Sequence, residues 1–406
     1  MSRAARKGET NPVRAEVVGG RSILSAFCAS LIGIGLARFA YTPLLPAIVD
    51  AHWFAASTAA YLGAANLAGY LAGALLGRPL AARFGAVAVL RAMMLLATAS
   101  FFACTHPVDF AWFFVWRLAA GVAGGALMVL AAPAVLPHLA PARRGLAGGL
   151  IFMGVGAGVA ISGTLVPLLL QQGLSQAWLG LGALSMLLTA TAWAGWPREG
   201  ALPPPPVEKA AAHRPLPLRA LYASYALNAA GWVPHMIFLV DFVARGLGQG
   251  VQAGSGYWIL FGIGATLGPL LLGHFADRVG FGTALRLGFV LEAVAVALPA
   301  VATGPLALGA SSLVVGAFVT GTVPLVLGRI GELLPGHHVR QKAAWSRATV
   351  FFALFQAVAA YGLSFVFTAT GGNYQLLFLV GGVAVALALA VDLVAALRAV
   401  PKGAMA

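Results

Sequence analysis

The chain has 406 residues, 60% of them hydrophobic and only 9% charged, with 25 Lys and Arg against 11 Asp and Glu for a net charge of +14. That leaves about 240 apolar positions, which is what twelve membrane-spanning helices of roughly 20 residues consume. An ordinary soluble domain, with about a quarter of its residues charged, is excluded, as is a porin-like barrel, because the apolar runs are continuous rather than alternating.

Residues 1–21 (MSRAARKGETNPVRAEVVGGR) carry five bases and no small-residue cleavage site beside a short apolar core. They predict a retained cytoplasmic segment ahead of a first helix, not a cleaved signal peptide. Apolar segments then fall at 22–46, 57–77, 86–104, 110–135, 145–170 and 175–196. A polar stretch at 197–217 contains Pro203 to Pro206 and reads as a semi-rigid polyproline linker. Six more segments follow at 218–243, 253–273, 282–302, 305–330, 343–369 and 374–398, and 399–406 forms a short tail. The expected architecture is all-α, a six-helix bundle over 22–196 and a second over 218–398.

The bases sort with these segments. Of 25 Lys and Arg, 22 fall in the terminal stretches and the even-numbered loops, Arg245 falls on the opposite side, and Arg38 and Arg117 are left inside helices. Cytoplasmic loops retain the excess of positive charge, so both termini are expected in the cytoplasm and the chain in the inner (plasma) membrane. The +14 is then topology, not a nucleic-acid footprint. Cys28 and Cys104 lie in apolar runs and make no disulfide framework.

In the first segment, Arg38 lies about fifteen residues in, roughly 22 Å along a helix axis and beyond the bilayer midplane. A charge at that depth is costly and normally faces a cavity or a partner. Tyr41 and Thr42, at i+3 and i+4, share its face and are expected to orient it. Arg117 in the fourth segment lies at a comparable depth, with Gly121 and Gly125 at intervals of four behind it. No acid lies deep in the first six segments: Asp50 and Asp109 are at outer edges. Because a guanidinium fork binds carboxylates and phosphates bidentately, an anionic substrate held by Arg38, and by Arg117, follows. The bland alternatives are that Arg117 braces helix 4 against helix 1 or couples protons, and that Arg38 snorkels or pairs with Asp50 or Asp109. Segment 5 is rich in small residues (Gly154, Gly156, Gly158, Gly163), which permit close helix packing and sliding.

In the seventh segment His235 sits roughly 25 Å from the cytoplasmic end. Imidazole titrates near neutral pH and suits proton coupling; a neutral packing histidine is the alternative. Asn228 and Trp232, at i−7 and i−3, put an amide and an aromatic plate on its stripe. Asp241 and Arg245, at i and i+4, are expected to pair. Glu292 in segment 9 is the one acid near the midplane, a candidate proton site or a hydrogen-bond partner for a neighbouring helix. Asp392 is expected to pair with nearby bases. Gly273-x-x-x-Asp277-Arg278-x-Gly280 follows segment 8, and a degenerate copy, Gly77 to Gly85 with Ala82 in the acid's place, follows segment 2. Such a six-plus-six repeat marks a secondary transporter with its site between the halves. Asp277 is placed to meet a neighbouring helix N-terminus as a latch.

The loop Gly273, Asp277, Arg278, Gly280 resembles motif A of the major facilitator superfamily, and Arg117, Gly121, Gly125 its motif B. More narrowly, the stretches Gly33 to Pro46 and Pro234 to Gly246 look like the YbfB/YjiJ family. The resemblance implies the twelve-helix fold and alternating-access transport, with helices 1, 4, 7 and 10 lining the cavity and 3, 6, 9 and 12 bracing it. Segment 5 lacks the Gly-Pro and paired glycines of the antiporters, which weighs against drug/proton antiport.

The expected function is proton-coupled transport of a small organic anion by a monomer among membrane lipids, bound by Arg38, Tyr41, Arg117, Asn228, Trp232 and His235. Proton-coupled export of drug-like cationic or neutral compounds, or a non-transporting sensor, is the alternative. No Gly-Lys phosphate loop, nucleophile elbow, His-x-x-x-His or Cys-x-x-Cys is present, so neither an enzyme nor a cofactor or metal is expected.

Overall fold

A computed structural model describes residues 12–139, 144–197 and 215–399. The expectations for residues 1–11, for the proline run Pro203 to Pro206 and for the tail beyond residue 399 lie outside the described residues. Twelve helices are long and apolar enough to cross a membrane. They are spans 1 (Gly19–Asp50), 2 (Ala56–Phe84), 3 (Ala86–Ala103), 4 (Phe110–His138), 5 (Leu146–Leu170) and 6 (Leu174–Ala192) in the first half. The second half holds spans 7 (Leu216–Gly246), 8 (Gly250–Val279), 9 (Phe281–Val301), 10 (Pro305–Leu333), 11 (Ala343–Ala369) and 12 (Tyr374–Arg398). An even number of alternating crossings brings the last span back to the end where the first began, here called the near end. The outer faces stay apolar along the spans, with Val294 61%, Val358 62% and Phe365 65% exposed, as surfaces facing lipid rather than water require.

Each half repeats the same packing device. Glycines at intervals of four let two backbones touch, since a Cβ would enter the neighbouring chain. Gly69 and Gly73 of span 2 meet Leu118 and Val122 of span 4, while Gly121 and Gly125 meet Asn66 and Tyr70 in return. In the second half Gly264 and Gly268 of span 8 meet Leu313 and Ala317 of span 10, and Gly316 meets Phe261. The hairpins that follow are also copies: Gly85 and Gly280 adopt φ of +86° and +83°, the left-handed region open to glycine. Each donates its N–H to the carbonyl four residues back, at 2.9 Å (Ala81) and 2.8 Å (Ala276).

The glycines of span 5 split between two partners. Gly154 and Gly158 abut span 1, whereas Gly156 and Gly163 abut Thr266 and Ile259 of span 8 in the other half.

Spans 1 and 7 depart from the continuous helices expected for 22–46 and 218–243. The helix that begins at Pro12 runs to Ser30, gives way to a π-helical turn (Leu31–Leu36) and loses helical form over 37–40 before resuming at Tyr41–Asp50. Proline has no N–H, so Pro43 cannot bond the Phe39 carbonyl; the Thr42 N–H takes it at 3.2 Å instead. In span 7, Pro215–Gly231 is followed by a break at Trp232 (φ −93°, ψ 4°) and by Val233–Asp241 with Pro234 near its start. Both breaks lie at mid-depth, one per half, where discontinuous helices commonly form binding sites.

Candidate functional site

The two halves close on each other at the far end. The Thr42 hydroxyl donates to the Met236 carbonyl across spans 1 and 7. Phe39 packs its ring against Trp258 and Phe261 of span 8 at 5.9 and 6.3 Å. Tyr61 and Tyr361, from spans 2 and 11, lie 6.3 Å apart. Beneath this closure a cavity of about 520 Å³ lies between the halves. It runs from Arg38 and Trp232 at the two helix breaks to Gly149, Asp277, Gly328 and Trp345 at the near end. The state is one open toward the end that carries the Gly273–Gly280 loop. A second, shallower depression of about 390 Å³ lies at the far end beside Ser57, Arg245 and Tyr374.

Arg38 sits at the closed end of the cavity, 7% exposed. Its guanidinium carbon is 5.0 to 5.4 Å from the ring centroids of Phe39, Tyr70 and Trp232, a cage that favours a cation electrostatically. Nη2 donates to Gln356 Oε1 on span 11, and Nε and Nη2 approach the Met236 sulfur at 3.2 and 3.1 Å. Among the described residues no carboxylate pairs with it, and Nη1 has no hydrogen-bond partner. The expected orientation by Tyr41 and Thr42 does not occur. The break at 37–40 rotates the following turn, so that the Tyr41 hydroxyl donates to the Ala59 carbonyl at 2.7 Å and Thr42 turns to Met236.

Arg117, 2% exposed, is away from the cavity lining. Its Nη1 donates to the Ala37 carbonyl at 2.9 Å and its guanidinium lies 4.4 Å from the Tyr41 centroid. Asn66 donates to the same Ala37 carbonyl at 3.3 Å and to the Arg117 carbonyl at 3.1 Å. Arg117 and Asn66 thus satisfy a carbonyl in the unwound turn that presents Arg38. Leaving a backbone acceptor unpaired in a buried site is costly, and this is the physical work the arginine of span 4 does here.

The stripe Asn228, Trp232, His235 is divided by the break in span 7. Trp232 lines the cavity. Asn228 turns to span 9, where its Nδ2 donates to Glu292 Oε2 at 2.5 Å. His235, fully buried, lies 2.7 Å from Ser311 Oγ of span 10, and its ring meets Phe378 edge-on at 5.1 Å. Because Ser311 donates its hydroxyl to the Ala295 carbonyl at 2.6 Å, the network assigns the imidazole proton to Nε2. Glu292, Asn228, Ser311 and His235 therefore form a buried polar seam behind Trp232, outside the cavity.

At the near end Asp277 is exposed on the cavity wall. The near-end acid that reaches a neighbouring helix's N-terminus is instead Glu332, which accepts from Phe281 N at 2.9 Å at the start of span 9 and pairs with Arg329 at 2.8 Å. A carboxylate there complements the helix dipole. Gly273 lines the cavity beside Asp277, Arg278 is exposed, and Gly280 makes the turn. The expected local pairs are present: Arg245–Asp241 at 2.8 Å, with the Tyr374 hydroxyl 2.6 Å from the same carboxylate, and Arg286–Asp392 at 2.6 Å. Asp109 caps span 4 through Trp112 N at 2.7 Å. Both cysteines are free thiols.

Sequence reasoning did not single out Tyr70, Tyr225 and Phe352, which complete the deep wall, or Gln356, which holds Arg38 from outside the cavity lining. Gln356 carried a usable signal, an amide in the middle of an apolar span. The rings did not, because an aromatic residue in a span is ordinary.

A family model described as "Uncharacterised MFS-type transporter YbfB" matches residues 30–393. Among solved structures, the crystal structure of a D-xylose-proton symporter aligns with a TM-score of 0.70 over 91% of this chain and 96% of that chain, at 14% sequence identity, a likeness of fold. No curated protein matches the sequence. With the match extending over nearly all of both halves, the chain belongs to the YbfB-type family of major facilitator superfamily transporters.

Proposed function

We propose that this protein is a proton-coupled secondary transporter of an organic anion, working by alternating access as a multi-pass protein of the inner membrane with both termini in the cytoplasm. The observation that carries the reading is Arg38, a caged cation without a carboxylate partner among the described residues, at the closed end of a cavity between the halves. Burying a cation there is costly, and an anion arriving from the open end offsets that cost. A cationic cargo is disfavoured, since the acid on the cavity wall is Asp277 at the mouth, far along the chain of lining residues from Arg38.

Proton coupling is assigned to the seam behind Trp232. Glu292 is fully buried with one amide donor and no cation beside it among the described residues. Its proton state alters the tie to Asn228, which anchors the near-end half of span 7, while His235 anchors the far-end half to span 10. The unwound turn between these anchors bears Trp232, so proton binding is transmitted to the cavity wall. His235 is the second candidate for the same role. Asp277 and the loop around it act as the near-end gate.

The test uses purified protein in liposomes with an imposed pH gradient, offered monocarboxylates, dicarboxylates, phosphate and cationic dyes. Saturable, gradient-driven uptake of a carboxylate is expected; gradient-driven movement of the dyes with no anion flux would overturn the reading. In Glu292→Gln, counterflow exchange of the anion should persist while gradient-driven accumulation is lost. Unchanged accumulation would remove Glu292 from the coupling.

A further inference from the structure

The cavity also specifies what kind of anion it takes. Around Arg38 the wall is aromatic: Phe39, Tyr70 and Trp232 cage the guanidinium. Phe352 continues that wall, 6.1 Å from Trp232 and 4.6 Å from Tyr225 between ring centroids. Toward the near end the rings of Phe152, Phe281 and Trp345 extend it. Among the described lining residues Arg38 and Asp277 are the charged ones, at opposite ends. Arg117, the other deep cation, is held behind the span 1 turn by Ala37 and Tyr41. The volume of about 520 Å³ falls within the roughly 300–1,000 Å³ usual for small-molecule sites.

From this we infer that the substrate is a monoanion with an aromatic or comparably bulky apolar body, its acidic group on Arg38 and its body between the rings of Trp232, Tyr70 and Phe352. The inference rests on the anion reading above and narrows it. A dicarboxylate would bring its second charge among rings, with no second cation to meet it, and burying an unpaired charge is costly. A small aliphatic acid would leave most of the aromatic wall wet and gain little from apolar burial. A sugar would require an array of side-chain amides and carboxylates that this wall lacks.

The polar groups present fit one acidic head. Arg38 Nη1 has no hydrogen-bond partner among the described residues, while Gln356, buried and outside the cavity lining, holds Nη2 through its Oε1. Tyr70 and Tyr225 line the cavity, and their hydroxyls have no hydrogen-bond partner among the described residues. Together they supply donors for two carboxylate oxygens, or for one oxygen and a polar ring substituent.

The experiment measures ligand-induced thermal stabilisation of the full chain in detergent with benzoate, benzenesulfonate, benzyl alcohol, acetate and succinate, for wild type, Arg38→Ala, Trp232→Leu and Phe352→Leu. Benzoate and benzenesulfonate are expected to stabilise the wild type at millimolar concentration, benzyl alcohol and succinate to do so at least tenfold more weakly. Arg38→Ala should weaken the aromatic anions about 100-fold or more, as two charge-assisted bonds from the guanidinium imply. Trp232→Leu or Phe352→Leu, whichever folds, should weaken benzoate about tenfold and leave acetate unchanged. Arg38-dependent binding of acetate or succinate that equals or exceeds that of benzoate would overturn the aromatic-body inference while leaving an anion site intact. Benzyl alcohol binding as tightly as benzoate, indifferent to Arg38→Ala, would overturn both. Absence of any benzoate or benzenesulfonate effect also overturns the inference.

Discussion

Arg38→Ala is expected to lower anion flux by about 100-fold or more while the protein remains folded. The guanidinium supplies the cation for the cargo, and each charge-assisted bond to a carboxylate is worth roughly 1.5–3 kcal/mol, so two of them account for at least two orders of magnitude. The fold survives because Arg38 holds the structure through a thioether and one amide, and removing it takes away a buried charge whose burial was itself unfavourable. Arg38→Lys keeps the charge but not the fork, and should retain a fraction of the flux with a raised KM. Flux in liposomes, normalised to inserted protein, decides this; wild-type rates in Arg38→Ala would show that the cation is not in the path.

Arg117→Leu should fail differently. The Ala37 carbonyl would keep only the longer bond from Asn66, and Tyr41 would lose the cation over its ring. A buried acceptor deprived of its main donor costs about 1–3 kcal/mol, paid in the turn that aims Arg38. The expected result is a lower thermal unfolding temperature in detergent and a flux loss of tenfold or more, with the affinity of the protein that remains folded close to wild type. If Arg117→Leu instead kept its thermal stability and lost affinity as Arg38→Ala does, Arg117 would be a ligand of the anion and not a brace for the broken helix.

This contrast between two arginines also measures how far the sequence alone could be read. The number of spans, their approximate limits and the two-fold repeat follow from apolar runs, charge placement and the Gly273–Gly280 loop, because a bilayer forces long apolar helices and leaves bases at their ends. Pairs along one helix, such as Asp241 with Arg245, follow from spacing. What did not follow is anything that depends on the helices being broken. Arg38 and Arg117 are the same residue type at comparable depth with no acid nearby, yet one lines the cavity and the other holds a carbonyl, because unwinding at 37–40 leaves the Ala37 carbonyl for Arg117 to satisfy. The prolines at 43, 46 and 234 and the glycines at 33, 35 and 231 mark those breaks in the sequence, but a continuous helical wheel ignores them; with it went the shared stripe of Asn228, Trp232 and His235. The latch expected of Asp277 needed knowledge of the conformational state: with the near end open, Asp277 faces the cavity mouth and Glu332, on span 10, caps span 9 instead.

The most direct measurement is a structure of the protein with 4-iodobenzoate, whose iodine locates the ring by anomalous scattering and whose carboxylate reports the cation it meets. Its carboxylate within about 3 Å of the Arg38 guanidinium, with the iodinated ring against Trp232 and Phe352, is the expected result. The same molecule bound only at the far-end depression beside Arg245, or elsewhere on the protein with Arg38 still joined only to Gln356 and Met236, would contradict an anion site between the two halves.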